Sequence, residues 1–417
     1  MRVLLLNTYH YPRGGDCTHV FALAELLRSH GHEVRFFGMK HELNVPCEDS
    51  AYWVDEIDFV QLNKHKTPRA ALRVVGRTLY SNESRRHLDR MLDDWMPDVA
   101  HIHNIHGHIS PSVLDSLVAR GVPALWTLHD YRLLCPNTHF LSGERICEEC
   151  RNHRYWRCVA NRCKKGSVSA SMVAALEAEV HRFLRIQSKV SVFIAPSEFL
   201  RSKFVEFGYP PEKIKRIRNF LPQPPVASRA DGSGPAAFIG QLAPWKGVET
   251  AVRAVASLPG RRLTVVGDGP DRARLQAIAE QLGAAERVRF TGALDRSGVL
   301  HALSECAFVV APSICYENCP YSVMEALAAG RPVVTSDIGG LPELVVDGQN
   351  GFTVAAGDSV SLARAMESLW EDGALLDRMS AEAVRSSEGF GSDLYYRSLM
   401  EVYGSVLGRS VAEKARD

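Results

Sequence analysis

Residues 2–37 read RVLLLNTYHYPRGGDCTHVFALAELLRSHGHEVRFF, and this stretch decides the fold class. The apolar run Arg2–Asn7 predicts a buried strand, and the turn-forming residues Tyr11–Gly15 predict a loop after it. Apolar residues at helical spacing then continue to Gly31, and Glu33–Phe37 predicts a second strand. The order of strand, glycine-bearing loop, helix and strand is typical of a parallel-sheet α/β unit.

The same order recurs along the chain, stops, and then restarts. Further strands, each followed by a loop and a helical pattern, are predicted at Val99–Ile102, Val122–Leu128 and Val190–Ala195. Residues 222–235 are rich in Pro, Ser and Gly, a composition typical of a flexible linker. Beyond the linker, strands are predicted at Ala237–Ile239, Arg262–Val266, Val288–Phe290, Phe308–Ala311 and Pro332–Thr335.

Two Rossmann-like, doubly wound α/β domains that face each other across a cleft explain this repetition. The predicted N-terminal domain is 1–221, with a Cys-rich, basic insertion at 135–166, and the C-terminal domain is 236–393. Residues 394–417 predict an amphipathic helix that crosses back to the first domain, with Tyr395, Leu399, Val402 and Tyr403 on its apolar face.

Composition excludes several classes of protein. A chain of 417 residues exceeds what one hydrophobic core usually supports, which favours two domains. The formal net charge of +1 lacks the basic excess of a nucleic-acid binder. The apolar run Val3–Leu6 is too short for a signal peptide, and no stretch reaches the ~20 apolar residues that span a bilayer. The expectation is a soluble, cytoplasmic protein.

Glycines follow the predicted strands of the second half at the place where ligands bind. In open parallel sheets this place is the carboxyl end of the strands, where the strand order reverses. Glycine lets the backbone turn sharply and approach a ligand closely. The candidate ligand-binding residues at these strand ends are Gly240, Gln241, Lys246, Gly267, Gly269 and Gly292.

The segment 316–325, YENCPYSVME, is the most informative motif of the second half. Pro320 or Ser322 is predicted to begin a helix, whose first N–H groups and positive dipole end can bind a diphosphate. Glu325 lies about one turn inside the helix, where its carboxylate can accept hydrogen bonds from vicinal ribose hydroxyls. Glu317 lies in the loop before the helix, and Lys246 is expected to reach the diphosphate from the opposite side.

These motifs together resemble the donor-site signature of family 4 of the retaining glycosyltransferases, also described as glycosyl transferases group 1. The resemblance covers nearly the whole chain in order and spacing. It is carried by Glu317-x7-Glu325, by 326–334 (ALAAGRPVV) and 339–343 (GGLPE), by Gly348 and Gly351, by Lys246-Gly247, by Gly14-Gly15 and by Thr127-Leu128-His129-Asp130.

The resemblance implies a GT-B fold and a role for each matched residue. His129 would face the transferred sugar, Glu317 would contact its hydroxyls, and Lys246 would bind the diphosphate of a UDP- or GDP-sugar. A hexose would pass with retention to a hydroxyl of a glycan or lipid-linked acceptor in polysaccharide or glycoconjugate biosynthesis, with no catalytic metal. The donor site implied comprises Gly14, Gly15, Gly240, Gln241, Lys246, Gly267, Gly269, Gly292, Asn318, Cys319, Pro320, Tyr321, Ser322 and Glu325.

The sequence departs from the family pattern at two places, of which Gln241 keeps a scaffold hypothesis open and Asn318-Cys319 is interpreted as a subgroup trait. Gln241 stands where the family usually has Arg, which leaves the diphosphate less neutralised, and Asn318-Cys319 replace a commoner Gly-containing pair. A catalytically degenerate scaffold protein and a nucleotide-sugar epimerase of the same architecture are the alternatives. A nicotinamide dehydrogenase is disfavoured because no Gly-x-Gly-x-x-Gly follows the first strand.

Histidines and cysteines cluster in the first half. His101, His103, His106 and His108 follow a predicted strand towards the cleft lip, where hydrogen bonding to acceptor hydroxyls is favoured over metal binding. Among ten cysteines, Cys147-x2-Cys150-x7-Cys158-x4-Cys163 is a candidate structural zinc site, with Cys135 as a substitute ligand. The alternative is a set of reduced, loosely packed thiols.

The segment 140–220 is basic, with sixteen Lys and Arg against eight Asp and Glu. Trp156, Tyr155 and Phe183 lie among these charges. Such a patch can bind anionic lipid headgroups, which would place the protein peripherally on the inner face of the membrane, or it can be a solvated face.

Overall fold

The first half of the chain forms a parallel six-stranded sheet covered by helices. In the computed structural model, which describes residues 1–57 and 76–408, the strand order is β2-β1-β3-β4-β7-β8. The two short strands β5 and β6 pair separately as an antiparallel hairpin. The strands are β1 (Arg2–Leu6), β2 (Glu33–Phe37), β3 (Val99–Ile102), β4 (Ala124–Thr127), β5 (Leu141–Ser142), β6 (Arg145–Ile146), β7 (Val192–Ala195) and β8 (Ile214–Arg216).

Helices cover this sheet between the strands. Because β1, β3, β4 and β7 are buried almost throughout, most of their side chains are apolar on both faces, as expected for a parallel sheet between helix layers. The helices of this half are α1 (Gly15–Ser29), α2 (Asn82–Asp94), α3 (Val113–Ala119), α4 (Trp156–Ala160), α5 (Val168–Phe183), α6 (Ile186–Lys189) and α7 (Glu198–Glu206).

The second half repeats the architecture with a second parallel six-stranded sheet. Its order is β11-β10-β9-β12-β13-β14. The elements are β9 (Ala236–Ile239), α8 (Val248–Ala256), β10 (Leu263–Val266), α9 (Arg272–Gln281), β11 (Val288–Gly292), α10 (Arg296–Glu305), β12 (Phe308–Ala311), α11 (Tyr321–Ala328), β13 (Val333–Ser336), β14 (Gly351–Val354), α12 (Ser359–Glu371) and α13 (Gly373–Ser387).

The strand order reverses between β9 and β12, and the two strands separate there. They pair only at their amino ends, Phe308 with Ala236 and Val309 with Ala237. The loops that follow the two strands therefore diverge and leave a crevice at the carboxyl edge, as expected at the switch point of an open sheet. The predicted doubly wound domains are thus confirmed.

The last described helix, α14 (Ser392–Val406), belongs to the core of the first domain. Tyr395, Leu399 and Tyr403 are buried there among the residues that surround β1 and β3. The predicted crossover is confirmed, although the helix begins at Ser392 and residues 409–417 lie outside the described part of the chain. Residues 222–235, the predicted linker, contain no helix or strand.

Within the described residues, the structure contains no helix that is both long and apolar enough to cross a membrane.

Gly247 is required where α8 meets the loop after β12. Its φ is +66°, and a Cβ atom there would lie 1.8 Å from the carbonyl oxygen of Pro312. Gly247→Ala is expected to lower the free energy of unfolding by more than about 2 kcal/mol, because left-handed strain adds to displacement of the backbone. Urea denaturation measures this change.

Gly260→Ala is the matched control, since Gly260 has φ +74° with open space around it. It should cost about 1–2 kcal/mol from backbone strain alone. Equal losses in the two variants would contradict the packing argument.

Candidate active site

The carboxyl edges of the two sheets face one cleft, which encloses about 350 Å³. Residues from both halves line it, so the site is complete only when both domains are present. The predicted site residues that the structure brings together on its walls are Gly15, His129, Gln241, Lys246, Asn318, Cys319, Pro320 and Tyr321.

A partly buried ion pair lies between the loops that follow β9 and β12. Lys246 Nζ donates to Glu317 Oε1 at 2.7 Å, and the Ser313 hydroxyl donates to the same oxygen at 2.7 Å. Burial alone would raise the pKa of the Glu317 carboxyl, but the Lys246 charge and the two hydrogen bonds outweigh it and hold the pKa below its ordinary value. The carboxylate is therefore ionised and acts as an acceptor.

The loop that carries Glu317 is held in place by two glycines. Gly340 N–H donates to the Glu317 carbonyl at 2.7 Å. A Cβ atom at Gly339, whose φ is +65°, would lie 2.5 Å from that carbonyl oxygen, and one at Gly340 would lie 2.0 Å from the Asn318 carbonyl oxygen. Only glycine permits this close approach of backbone to backbone.

Helix α11 begins directly after this loop and points its N-terminus into the cleft. Pro320 is its N-cap residue, with extended backbone, and Tyr321 is the first helical residue. Glu325 lies one turn inside and forms an ion pair with Arg296, which also donates to the Gln223 carbonyl at 2.6 Å. Ser322 lies in the first turn, whose N–H groups have no partner within the helix.

Tyr321 reaches across the cleft to the first domain. Its hydroxyl lies 3.0 Å from His19 Nδ1, and its ring approaches the position of a Cβ atom at Gly15 to 3.5 Å. Gly14 is the N-cap residue of α1, so the amino ends of α1 and α11 face each other. Two positive dipole ends at one place favour an anionic ligand.

Asn318 and Cys319 connect the domains as well as lining the cleft. Asn318 Nδ2 donates to the Leu128 carbonyl at 2.9 Å, and its Oδ1 accepts from Ser197 at 2.8 Å. The carbonyl of Cys319 accepts from Asn219 Nδ2 at 3.1 Å, while its thiol is buried. The side-chain amide of Asn318 is therefore engaged in protein hydrogen bonds.

Glu343, from the second half, caps a helix of the first half. Its carboxylate accepts from the N–H groups of Phe199 at 2.7 Å and Glu198 at 2.9 Å, at the amino end of α7. A charged carboxylate at this position stabilises the helix through its orphan donors and its dipole. The GGLPE segment thus joins the two domains.

The predicted histidine string is mostly buried, so the expectation that His101 and His103 lie on the cleft lip is wrong. His101 bonds Tyr403 at 2.8 Å and Thr127 at 2.7 Å, and His103 Nδ1 lies 2.9 Å from His129 Nε2. Helix α14 covers this face of the sheet. His129, which stacks on His103, lines the cleft itself.

The strand-end glycines of the second half contact one another. Gly240 N–H donates to Val266, and Gly267 N–H donates to the carbonyl of Gly292 at 2.9 Å. A Cβ atom at Gly267 would lie 1.9 Å from the Gly240 carbonyl oxygen, and one at Gly269 would lie 2.3 Å from that of Leu242. Close packing between the loops explains these glycines, and Gln241 is the residue of this group on the cleft wall.

Several cleft residues were missed in the sequence. His139 and Trp245 stack with ring centroids 4.4 Å apart, one from each half of the chain. Asp16, Asn104, Asp130, Tyr131 and Asn219 also line the cleft, each in a segment that follows a strand of the first sheet. The sequence signal that could have found these residues is their position, because each is a polar residue soon after strand β1, β3, β4 or β8.

The cysteines of the insertion cluster around a small core of their own. Cys150, Tyr155, Cys158 and Ala175 are buried together, with Cys163 packed against them. A hydrogen bond from Cys158 lowers the pKa of the Cys163 thiol to about 7. Among the described residues, one group of three potential metal ligands has its ligand atoms within 4.8 Å of one another. That group contains none of the cysteines predicted to bind zinc.

Two Rossmann-like domains with facing strand ends define the GT-B class of glycosyltransferase folds. Two family models match the chain: Glycosyltransferase Family 4 over residues 13–222 and Glycosyl transferases group 1 over residues 226–386. The chain belongs to glycosyltransferase family 4.

Relatives with curated names support the family. A glycogen synthase of Mycobacterium tuberculosis is 31% identical over 298 residues, which are 69% of this chain and 64% of that protein. The match thus spans less than two thirds of that synthase. The lipopolysaccharide core biosynthesis glycosyltransferase LpsD of Rhizobium meliloti is 31% identical over 268 residues, 62% of this chain and 75% of that protein.

Solved structures share the fold over nearly the whole chain. Sucrose-phosphate synthase of Thermosynechococcus elongatus superposes with a TM-score of 0.70 at 18% identity, covering 98% of this chain and 100% of that one. Anabaena HepE in complex with UDP-glucose superposes with a TM-score of 0.66 at 19% identity, covering 97% and 100%. At these identities the likeness shows the fold.

The buried histidines predict an acid-sensitive fold. Burial lowers the pKa of His101 to about 3, and it lowers those of His19 and His103 in the same direction. Between pH 6.5 and 3 the unfolded chain therefore binds protons that the folded chain does not, and the free energy of unfolding falls as the pH falls.

Replacing His101 by Gln should reduce this slope between pH 6 and 5 by about one proton, or ~1.4 kcal/mol per pH unit. Urea midpoints at several pH values measure the slope. His301→Gln, at an exposed site on α10, is the control. If His101→Gln leaves the slope of the free energy of unfolding against pH unchanged, His101 does not have a lowered pKa in the folded chain.

Proposed function

We propose that the protein is a retaining hexosyltransferase. It moves a hexose-type sugar from a UDP- or GDP-sugar to a hydroxyl of a glycan or lipid-linked acceptor in polysaccharide or glycoconjugate biosynthesis. One observation carries the proposal: Lys246, Glu317 and the amino end of α11 meet at the β9–β12 switch point, opposite Gly15 and His129.

The donor is bound by the second domain in this proposal. Glu325, which lies one turn inside α11 and is oriented by Arg296, accepts hydrogen bonds from the ribose hydroxyls. The N–H groups of the first turn and Lys246 bind the diphosphate, while Glu317 contacts hydroxyls of the sugar. HepE, which shares the fold, is described in complex with UDP-glucose, and this supports a nucleotide-sugar donor.

Because Gln241 is uncharged, Lys246 is the predicted cation of the phosphate site. Lys246 itself forms an ion pair with Glu317. The remaining negative charge of the diphosphate is then stabilised by backbone dipoles. The amino ends of α1 and α11, which face each other across the cleft, supply them without a further cation. This arrangement supports an active enzyme over the degenerate scaffold.

The anomeric configuration is retained if the nucleoside diphosphate leaves from the same face of the sugar that the acceptor hydroxyl attacks. The bond from the anomeric carbon to the phosphate oxygen breaks, and the acceptor oxygen bonds to the same carbon. The acceptor proton passes to an oxygen of the departing nucleoside diphosphate, which Lys246 and the helix ends stabilise as it forms. An NMR spectrum that shows the inverted anomer in the product would overturn this mechanism.

Donor binding tests the site. Thermal unfolding with UDP, GDP, ADP and their sugars at ~100 times the dissociation constant should show stabilisation by about 2.7 kcal/mol with one base. Glu325→Ala should abolish the shift, because the ribose loses its acceptor, and Lys246→Met should reduce it.

Glu371→Ala, at an exposed site on α12, is the matched control and should keep the full shift. Absence of a shift with every nucleotide in the unmodified protein would favour the scaffold. Conversion of the donor sugar without any acceptor would favour the epimerase.

A lipid-linked acceptor is supported by one face of α5. Val168, Met172, Leu176 and Phe183 are exposed and lie within one narrow arc of this helix. Arg182 and Arg185 follow beside them, in the basic segment 140–220. Apolar side chains flanked by cations are typical of a surface that binds anionic lipid. LpsD, a relative, is named for lipopolysaccharide core biosynthesis.

Sedimentation with vesicles tests this surface. The protein should co-sediment with anionic vesicles and less with neutral ones, and Phe183→Ser should weaken binding several-fold because Phe183 is 85% exposed. Val360→Ser is the matched control, a 60% exposed apolar residue in the other domain. Failure to bind anionic vesicles would remove the membrane from the proposal.

A further inference from the structure

Three polar atoms without hydrogen-bond partners face one another behind the part of the cleft wall that carries His129 and Asp130. They are His106 Nδ1, Glu177 Oε1 and His181 Nε2, and all three lie within 4.8 Å of one another. The side chains of His106 and Glu177 are 9% and 4% exposed, and His181 is 6% exposed. Orphaned buried polar atoms are costly, so three at one point indicate a missing partner.

The three atoms are suited to a cation rather than to one another. His106 Nδ1 and Glu177 Oε1 are 3.6 Å apart, which is within the range of an ion pair but beyond hydrogen-bond distance. Imidazole nitrogen and carboxylate oxygen are ligands of zinc and of other divalent transition metals. Ligands about 2.0–2.2 Å from a tetrahedral ion lie roughly 3.3 Å from one another, so the observed spacing closes with small side-chain movements.

The remaining atoms of two of these ligands are held by the surrounding protein. Glu177 Oε2 accepts from Arg132 Nη2 at 2.5 Å, and His181 hydrogen-bonds the backbone carbonyl of Leu79. A metal-bound histidine commonly donates its second ring nitrogen to a carbonyl, and a metal-bound carboxylate is commonly bonded on its other oxygen. Glu177 and His181 lie one turn apart on α5, while His106 follows β3.

We propose that His106, Glu177 and His181 bind a divalent transition-metal ion, tested as zinc. The ion would tie α5 to the first sheet, because two ligands come from α5 and the third, His106, follows β3. His106 also borders a small space together with His129 and Asp130. The ion would therefore support this part of the cleft wall without touching the donor. This proposal is independent of the transfer reaction and of the predicted cysteine site.

Metal titration tests the proposal. The full chain, stripped with a chelator, should bind one equivalent of Zn²⁺ or Co²⁺ at this site. Glu177→Gln should weaken that binding at least a hundredfold, because the anionic ligand is lost while its shape is kept. Glu179→Gln, two residues along the same helix and ion-paired with Arg182 at the surface, is the matched control and should bind as the unmodified chain does.

Cobalt separates this site from the cysteines. A nitrogen and oxygen site gives weak visible bands, whereas thiolate ligands add intense sulfur-to-cobalt charge transfer. The expected spectrum of the unmodified chain retains a thiolate-free component that Glu177→Gln lacks. If Glu177→Gln does not fold, His106→Gln, in a loop, serves instead. Absence of stoichiometric metal, purely thiolate spectra, or equal binding by Glu177→Gln and Glu179→Gln would overturn the proposal.

Discussion

The ion pair of Lys246 with Glu317 is the constraint on which the cleft depends. The two charges meet between the loops at the switch point, where the side chains of Lys246 and Glu317 are 26% and 13% exposed. Because an unpaired buried charge destabilises a fold by several kcal/mol, the pair fixes the loops relative to each other. The loop that carries Glu317 then places Asn318 against the first domain and Tyr321 against His19. The shape of the cleft and the contact between the domains therefore depend on the same ion pair.

Most of the fold could be predicted because its strands are local and apolar. Every strand predicted in the second half lies within two residues of an observed one, since buried parallel strands appear as short apolar runs. In the two six-stranded sheets the prediction missed β8 and β14, each at one edge of its sheet, and it also missed the β5–β6 hairpin. Edge strands are half exposed, as the sequence IKR of β8 illustrates, and their mixed composition resembles that of a loop.

The site was predictable where its residues lie close together in the chain and unpredictable where they pair across it. Glu317, Pro320 and Glu325 occupy one motif, but the partner of Glu325 is Arg296, which lies 29 residues earlier. His101 and His103 stack on each other, with ring centroids 4.5 Å apart. What covers them is Tyr403, which lies 302 residues from His101, and no local pattern reveals such a contact.

Helix α14 has a consequence for how the protein is made. Its residues Tyr395, Leu399 and Tyr403 complete the core of a domain whose first strand is Arg2–Leu6. A ribosome must therefore synthesise the whole second domain before the first can close over His101. Until then the nascent first domain exposes an apolar, histidine-lined face, while the second domain has all of its own strands. The domain that is translated first is therefore the one whose core is completed last.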